Sequence, residues 1–92
     1  MLSYATQDVG DAQVIRFHGS LDQYKKIIHQ ISRHRRWREL NDCLRCDLDY
    51  GVVVHWWWKG KGTVLFQGPS SPAASMKAKF VVWADGLALF VP

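Results

Sequence analysis

Cys43 and Cys46 stand in the order Cys-Leu-Arg-Cys, the spacing of a redox dithiol or of half a zinc site. Either chemistry needs the two sulfurs to converge. The flanking residues oppose this, because Leu44, Cys46 and Leu48 alternate with Arg45, Asp47 and Asp49 in the manner of a strand. On a strand, positions three apart point to opposite faces, so the sulfurs diverge. No second CxxC occurs, and His18, His29, His34 and His55 lack a paired spacing after the cysteines. Cys46 is expected as a small core residue and Cys43 near a strand end, with no metal and no other cofactor. Lys59-Gly60-Lys61-Gly62 looks like a phosphate loop, but it joins two strands rather than a strand and a helix. No serine sits in a nucleophile elbow. The sequence therefore offers no catalytic residue, and a non-enzymatic role is expected.

The cations carry more. The 92-residue chain has 12 Lys and Arg against 8 Asp and Glu, a net charge of +4 that favours polyanionic partners. Lys25, Lys26, Arg33, Arg35, Arg36 and Arg38 follow one another with no acid between them. A surface built only for solubility mixes signs and gains i,i+4 pairs. An unmixed run suits tracking of a phosphate backbone, where each contact releases counterions. The second resource is aromatic. Rings make up 13% of the chain, with five tryptophans, more than so small a core can hide.

The elements that position these groups read as α+β. Residues 12–18 alternate as a strand, with Ile15 and Phe17 inward and Val14, Arg16 and His18 outward. Ser20 and Gln23 form a capping box for a helix expected from Leu21 to Arg36, whose buried stripe is Tyr24, Ile27, Ile28 and Ile31. Strands are expected at Cys43–Leu48, Val52–Lys59 and Thr63–Gln67, separated by turns at Asp49-Tyr50-Gly51 and at the Lys-Gly repeat. A second helix should start at a Ser70 or Ser71 cap with Pro72 first. It should bury Ala73, Met76, Phe80 and Trp83 and stop at Gly86, with a switch to strand possible at Val81 and Val82. The apolar tail from Leu87 should pack down or add an edge strand. Residues 1–11 are expected as a loose arm. The resulting order, β-α-β-β-β-α, makes one domain, an antiparallel sheet with both helices on one face. In the hairpin, Val52, Val54, Trp56 and Trp58 share the core face with Val64 and Phe66. The open face would then carry Arg16, His18, Arg45, His55, Trp57, Lys59 and Gln67.

The hairpin also carries a resemblance. Val53 to Gly68 is a strand, a short Gly-containing turn and Val64-Leu65-Phe66-Gln67-Gly68, followed by an Ala-rich helix with Ala73, Ala74, Ala78 and Phe80. This resembles the TBP-like domain at the N-terminus of the third class of bacterial ribonuclease H. A related unit occurs in the TATA-box-binding protein and in some ribonuclease toxins. The resemblance covers residues 50–80 and implies a curved sheet that engages a duplex or hybrid on its open face, with helices behind. The three consecutive tryptophans, and the lack of an acidic cluster for catalytic metals, depart from that family. The resemblance thus speaks for a fold and a binding mode rather than an activity. Val64 to Pro69 also matches the core of a protease site used to remove fusion tags, but it continues a well-patterned hairpin and reads as native structure.

The first functional expectation is a binding module for RNA, DNA or a hybrid. Lys25, Lys26, Arg33, Arg35, Arg36, Arg38, Lys59 and Lys61 would serve the backbone, with Trp57 stacking beside Arg45 and His55. The alternative is a phage- or plasmid-type inhibitor, such as an anti-CRISPR protein, docking on a host protein or guide-RNA complex. A ribonuclease toxin fragment is third. No apolar run approaches the roughly 20 residues that span a bilayer, so no membrane partner is expected. The N-terminus shows no secretory pattern, and the expected compartment is the cytoplasm.

Overall fold

The structure, a computed structural model, describes residues 13–88. The arm expected over residues 1–11 lies outside them, as do residues 89–92 of the tail. The chain runs β1 (Gln13–Arg16), α1 (Leu21–Ile31), β2 (Arg36–Glu39), β3 (Leu44–Asp47), β4 (Val53–Trp56), β5 (Thr63–Gln67) and α2 (Ser70–Ala88). The five strands form one antiparallel sheet in the order β1-β5-β4-β3-β2. The protein is α+β, with both helices on one face of an open sheet.

The β1–α1–β2 connection runs from one edge of the sheet to the other. Four strand steps span about 19 Å at ~4.8 Å each, and a helix of 11 residues covers about 16 Å. α1 and its flanking loops therefore carry the chain from one edge of the sheet to the other. Its expected capping box is present: the Ser20 hydroxyl accepts from the Gln23 amide at 3.1 Å, and the Gln23 side chain accepts from the Ser20 amide at 2.8 Å. Tyr24, Ile27, Ile28 and Ile31 are buried as the spacing requires.

The helix was expected to reach Arg36 but ends at Ile31, and residues 36–39 form a strand instead. The apolar stripe stops at Ile31, so further turns would bury nothing. A distant residue then captures the next amides. The Asp49 carboxylate accepts from the backbone N–H of Arg33 at 2.9 Å and of His34 at 3.1 Å. The buried Ser32 hydroxyl donates to the His34 carbonyl and accepts from the Asp49 amide. Arg36-Trp37-Arg38 then alternates, with half-buried Trp37 against the core and both arginines exposed.

Central packing is aromatic. Tyr24 stacks on Trp56 with ring centroids 4.2 Å apart, and Phe17 and Phe80 close around them. The Trp56 indole N–H, buried, donates to the Phe17 carbonyl at 3.1 Å, tying β4 to the end of β1. Gly62 completes that tie: its φ is +75°, its carbonyl accepts from the Phe17 amide, and a Cβ there would lie 2.5 Å from the Phe17 oxygen. Val64 and Phe66 are fully buried in a strand flanked on both sides, so the protease-like segment is integral to the core.

Several boundaries differ from expectation. β1 is shorter than 12–18. β4 ends at Trp56, and Trp58, expected in the core, is 38% exposed in the following turn. α2 includes both serines, so neither caps it from outside, and Pro72 is its third residue, still in the first turn where no helical donor is required. It continues through Val81, Val82 and Gly86, so neither the strand switch nor the glycine stop occurs. Val81 and Ala84 extend the stripe of Ala73, Met76 and Phe80, whereas Trp83 is 47% exposed at its margin. Among the described residues, no helix is long and apolar enough to cross a membrane.

Two predictions follow from this packing. The Tyr24 hydroxyl is buried without a hydrogen-bond partner, and such a group costs about 1–3 kcal/mol. Tyr24→Phe should therefore stabilise the protein, raising Tm by about 4–8 °C per kcal/mol recovered; a fall in Tm would show that the hydroxyl is satisfied. The Arg33 amide, foremost, holds the Asp49 carboxyl below its ordinary range. A depressed folded pKa stabilises above the unfolded value and is lost as pH falls through the folded one. Asp49→Ala should lower Tm at pH 7, and its deficit against the native chain should close on acidification into the carboxylate range.

Candidate functional site

Strand alternation sends the side chains opposite the core to one solvent-facing surface. The register orders them into rows. One row reads Arg38 (β2), Arg45 (β3), His55 (β4) and Leu65 (β5). The next reads Arg36, Asp47, Val53 and Gln67 on the same strands. At the other end Arg16 of β1 pairs with Thr63, and the Trp57 amide donates to the Thr63 carbonyl at 2.9 Å, so Trp57 extends this face beyond β4. Arg16, Arg36, Arg38 and Gln67 are exposed, and Arg45, Asp47, His55, Trp57 and Leu65 are half-buried.

His55 and Trp57, two apart on one strand face, stack with centroids 5.5 Å apart and planes at 24°. Among the described residues, no second ring and no cation sits over Trp57. An indole on this face has the chemistry to stack a base or ribose. The His55 Nδ1 is buried without a partner. Burial, and then the neighbouring Arg45, depress its pKa, while Asp47 opposes. The imidazole is thus an uncharged aromatic platform at neutral pH. Arg45 donates from Nε to Asp47 Oδ1 at 2.9 Å.

The site residues expected from sequence separate into groups. Arg45, His55 and Trp57 meet on the open face as anticipated. Arg36 and Arg38 join them, a correction of their expected place at the end of α1. The β2 strand that carries them there was not foreseen, although the alternation Arg36-Trp37-Arg38-Glu39 was its signal. Lys25 and Lys26 stay on the helix side, and the Lys25 ammonium lies over the Trp37 ring at 5.3 Å. Arg33 is exposed in the loop after α1. Arg35 folds back, its Nη1 donating to the carbonyls of Ser32 and Arg33 at 2.6 and 3.0 Å, so it braces the loop. Lys59 and Lys61 sit in the β4–β5 turn, with Lys59 over the Trp58 ring at 5.2 Å. Asp47 is the participant that the site reading passed over, although strict alternation already placed it beside Arg45. Cys43 and Cys46 are buried free thiols, and burial pushes Cys46 up to about 11. Among the described residues, no three His, Cys, Asp or Glu gather where they could hold a metal ion.

The electrostatics yield a prediction. The His55 imidazole should titrate below its ordinary value of 6.5 in an NMR pH series. Arg45→Ala should move the midpoint up, because a cation that disfavours the imidazolium is gone. A midpoint at or above that ordinary value in the native chain would contradict the burial of this ring. Comparison of the chain with protein-family models, with curated proteins and with solved structures finds no match.

Proposed function

We propose that this protein is a non-enzymatic module that binds nucleic acid through the open face of its sheet. One observation carries the reading. Arg16, Arg36, Arg38 and Arg45, drawn from three strands, share a face with the His55–Trp57 stack, and Asp47 is the sole acid at its strand positions. Cations beside a stacking platform suit phosphate contact and base or ribose stacking. Backbone contact and ring stacking, rather than hydrogen bonds to base edges, predict little sequence specificity. The resemblance of residues 50–80 to the TBP-like domain supports the same side of the sheet, with the helices behind, and favours a duplex or hybrid. Buried free thiols fit a reducing compartment such as the cytoplasm.

A second reading has its own observation. Val82 and Trp83 are 70% and 47% exposed on α2, on the helix layer. Apolar anchors there fit a protein or nucleoprotein partner, as in an inhibitor of the anti-CRISPR type.

The test is fluorescence anisotropy with labelled single-stranded RNA, duplex DNA and RNA–DNA hybrid across a salt series. The native protein should bind with strong salt dependence. Arg36→Ala/Arg38→Ala should weaken binding to every ligand and reduce the slope of log K against log salt by about 1.5–2. Lys26→Ala, on the helix side, should change little. Absence of binding to all three ligands at low salt would refute the reading and leave the protein-partner alternative.

A further inference from the structure

β2 and β3 build a square on the open face. Arg36 stands directly across from Asp47, and Arg38 directly across from Arg45. Three guanidinium groups thus surround one carboxylate. Like charges directly opposed across strands destabilise a sheet unless an anion lies between them. Asp47 reaches only one of the three at hydrogen-bond distance, Arg45 Nε at 2.9 Å. The Arg36 and Arg38 guanidinium groups make no hydrogen bond among the described residues and act on Asp47 at longer range. Three cations against one anion leave a formal surplus of two positive charges.

We infer that Arg36, Arg38 and Arg45 form the phosphate-binding point of this face, and that Asp47 is its built-in competitor, holding Arg45 until a backbone phosphodiester takes its place. The inference rests on the nucleic-acid reading and names where the backbone lies. A phosphodiester presents two anionic oxygens to guanidinium groups much as a carboxylate does, so Asp47 holds Arg45 ready for the ligand it resembles. The exchange is easy because the pair is only half-buried, each side chain 35% exposed, and ion pairs open to solvent contribute little to stability. The point also sets the direction of the strand. In the same row as Arg38 and Arg45 lies His55, about 5 Å across the sheet from Arg45, and Trp57 follows just beyond β4. A phosphate in the square therefore leaves an adjoining nucleotide over the stack.

The test measures the affinity of a labelled oligonucleotide for Asp47→Asn. Removing one negative charge from beside a phosphate should tighten binding by about three- to ten-fold. Asp85→Asn makes the same change in net charge on α2, away from the face, and should alter affinity less than about two-fold. The gain should vanish in an Arg38→Ala/Arg45→Ala background, and with a methylphosphonate oligonucleotide, whose linkages carry no charge. Thermal unfolding of Asp47→Asn controls for folding. If Asp47→Asn weakens or leaves unchanged a salt-sensitive native binding, or if Asp85→Asn gives the same gain, the competitor role is overturned while the nucleic-acid reading stands. If neither the native protein nor Asp47→Asn binds any oligonucleotide at low salt, both fall.

Discussion

The crossing from β1 at one edge of the sheet to β2 at the other, made through α1, is the constraint from which the other features descend. Its anchor is Tyr24, stacked on Trp56 at 4.2 Å and enclosed by Phe17 and Phe80. An aromatic pair of this kind adds about 0.5–1.5 kcal/mol beyond the area it buries. With α1 fixed there, β1 must lie at one edge and β2 at the other, and α2 must fill the remaining space over the same face. One side of the sheet then carries both helices and the core. The other is left to whatever the alternation of each strand delivers.

What it delivers is charge. Each strand that sends Ile15, Cys46, Val54 or Phe66 inward sends its neighbours outward, and those include Arg16, Arg45, Asp47 and His55. The cations of the helix layer are occupied differently. Lys25 covers Trp37, and Arg35 braces a loop. Arg36 and Arg38 are not committed in this way. The contrast separates cations that serve the fold from cations that face outward, a distinction that total charge does not contain.

Fold and site are coupled through Asp49. By accepting the amides of Arg33 and His34 it ends α1 and lets the chain turn outward into β2. A carboxylate in the β3–β4 turn thus decides which surface two arginines reach. Asp47, two residues earlier, then lies among them. One short acidic stretch both directs the cations to the face and moderates their field.

The alternation of residues 43–67 was legible from the sequence because burial in a strand has period two. Tyr24, Ile27, Ile28 and Ile31, the capping box and the two turns followed from equally local rules. Those rules also placed Arg45, His55 and Trp57 together on an open face. The apolar stripe marks Ile31 as the last buried position of α1, but nothing local shows what receives Arg33 and His34. Their amides are captured by a residue 15 or 16 positions away. The fifth strand, and with it the arrival of Arg36 and Arg38 opposite Asp47 and Arg45, depends on that long-range bond. Likewise, no pattern within α2 shows that Trp83 lies at the margin of the core while Ala84 enters it. Local periodicity determined which residues face inward on each element. Only tertiary contact decided where the elements stop and which faces adjoin, because those outcomes rest on partners distant in the chain.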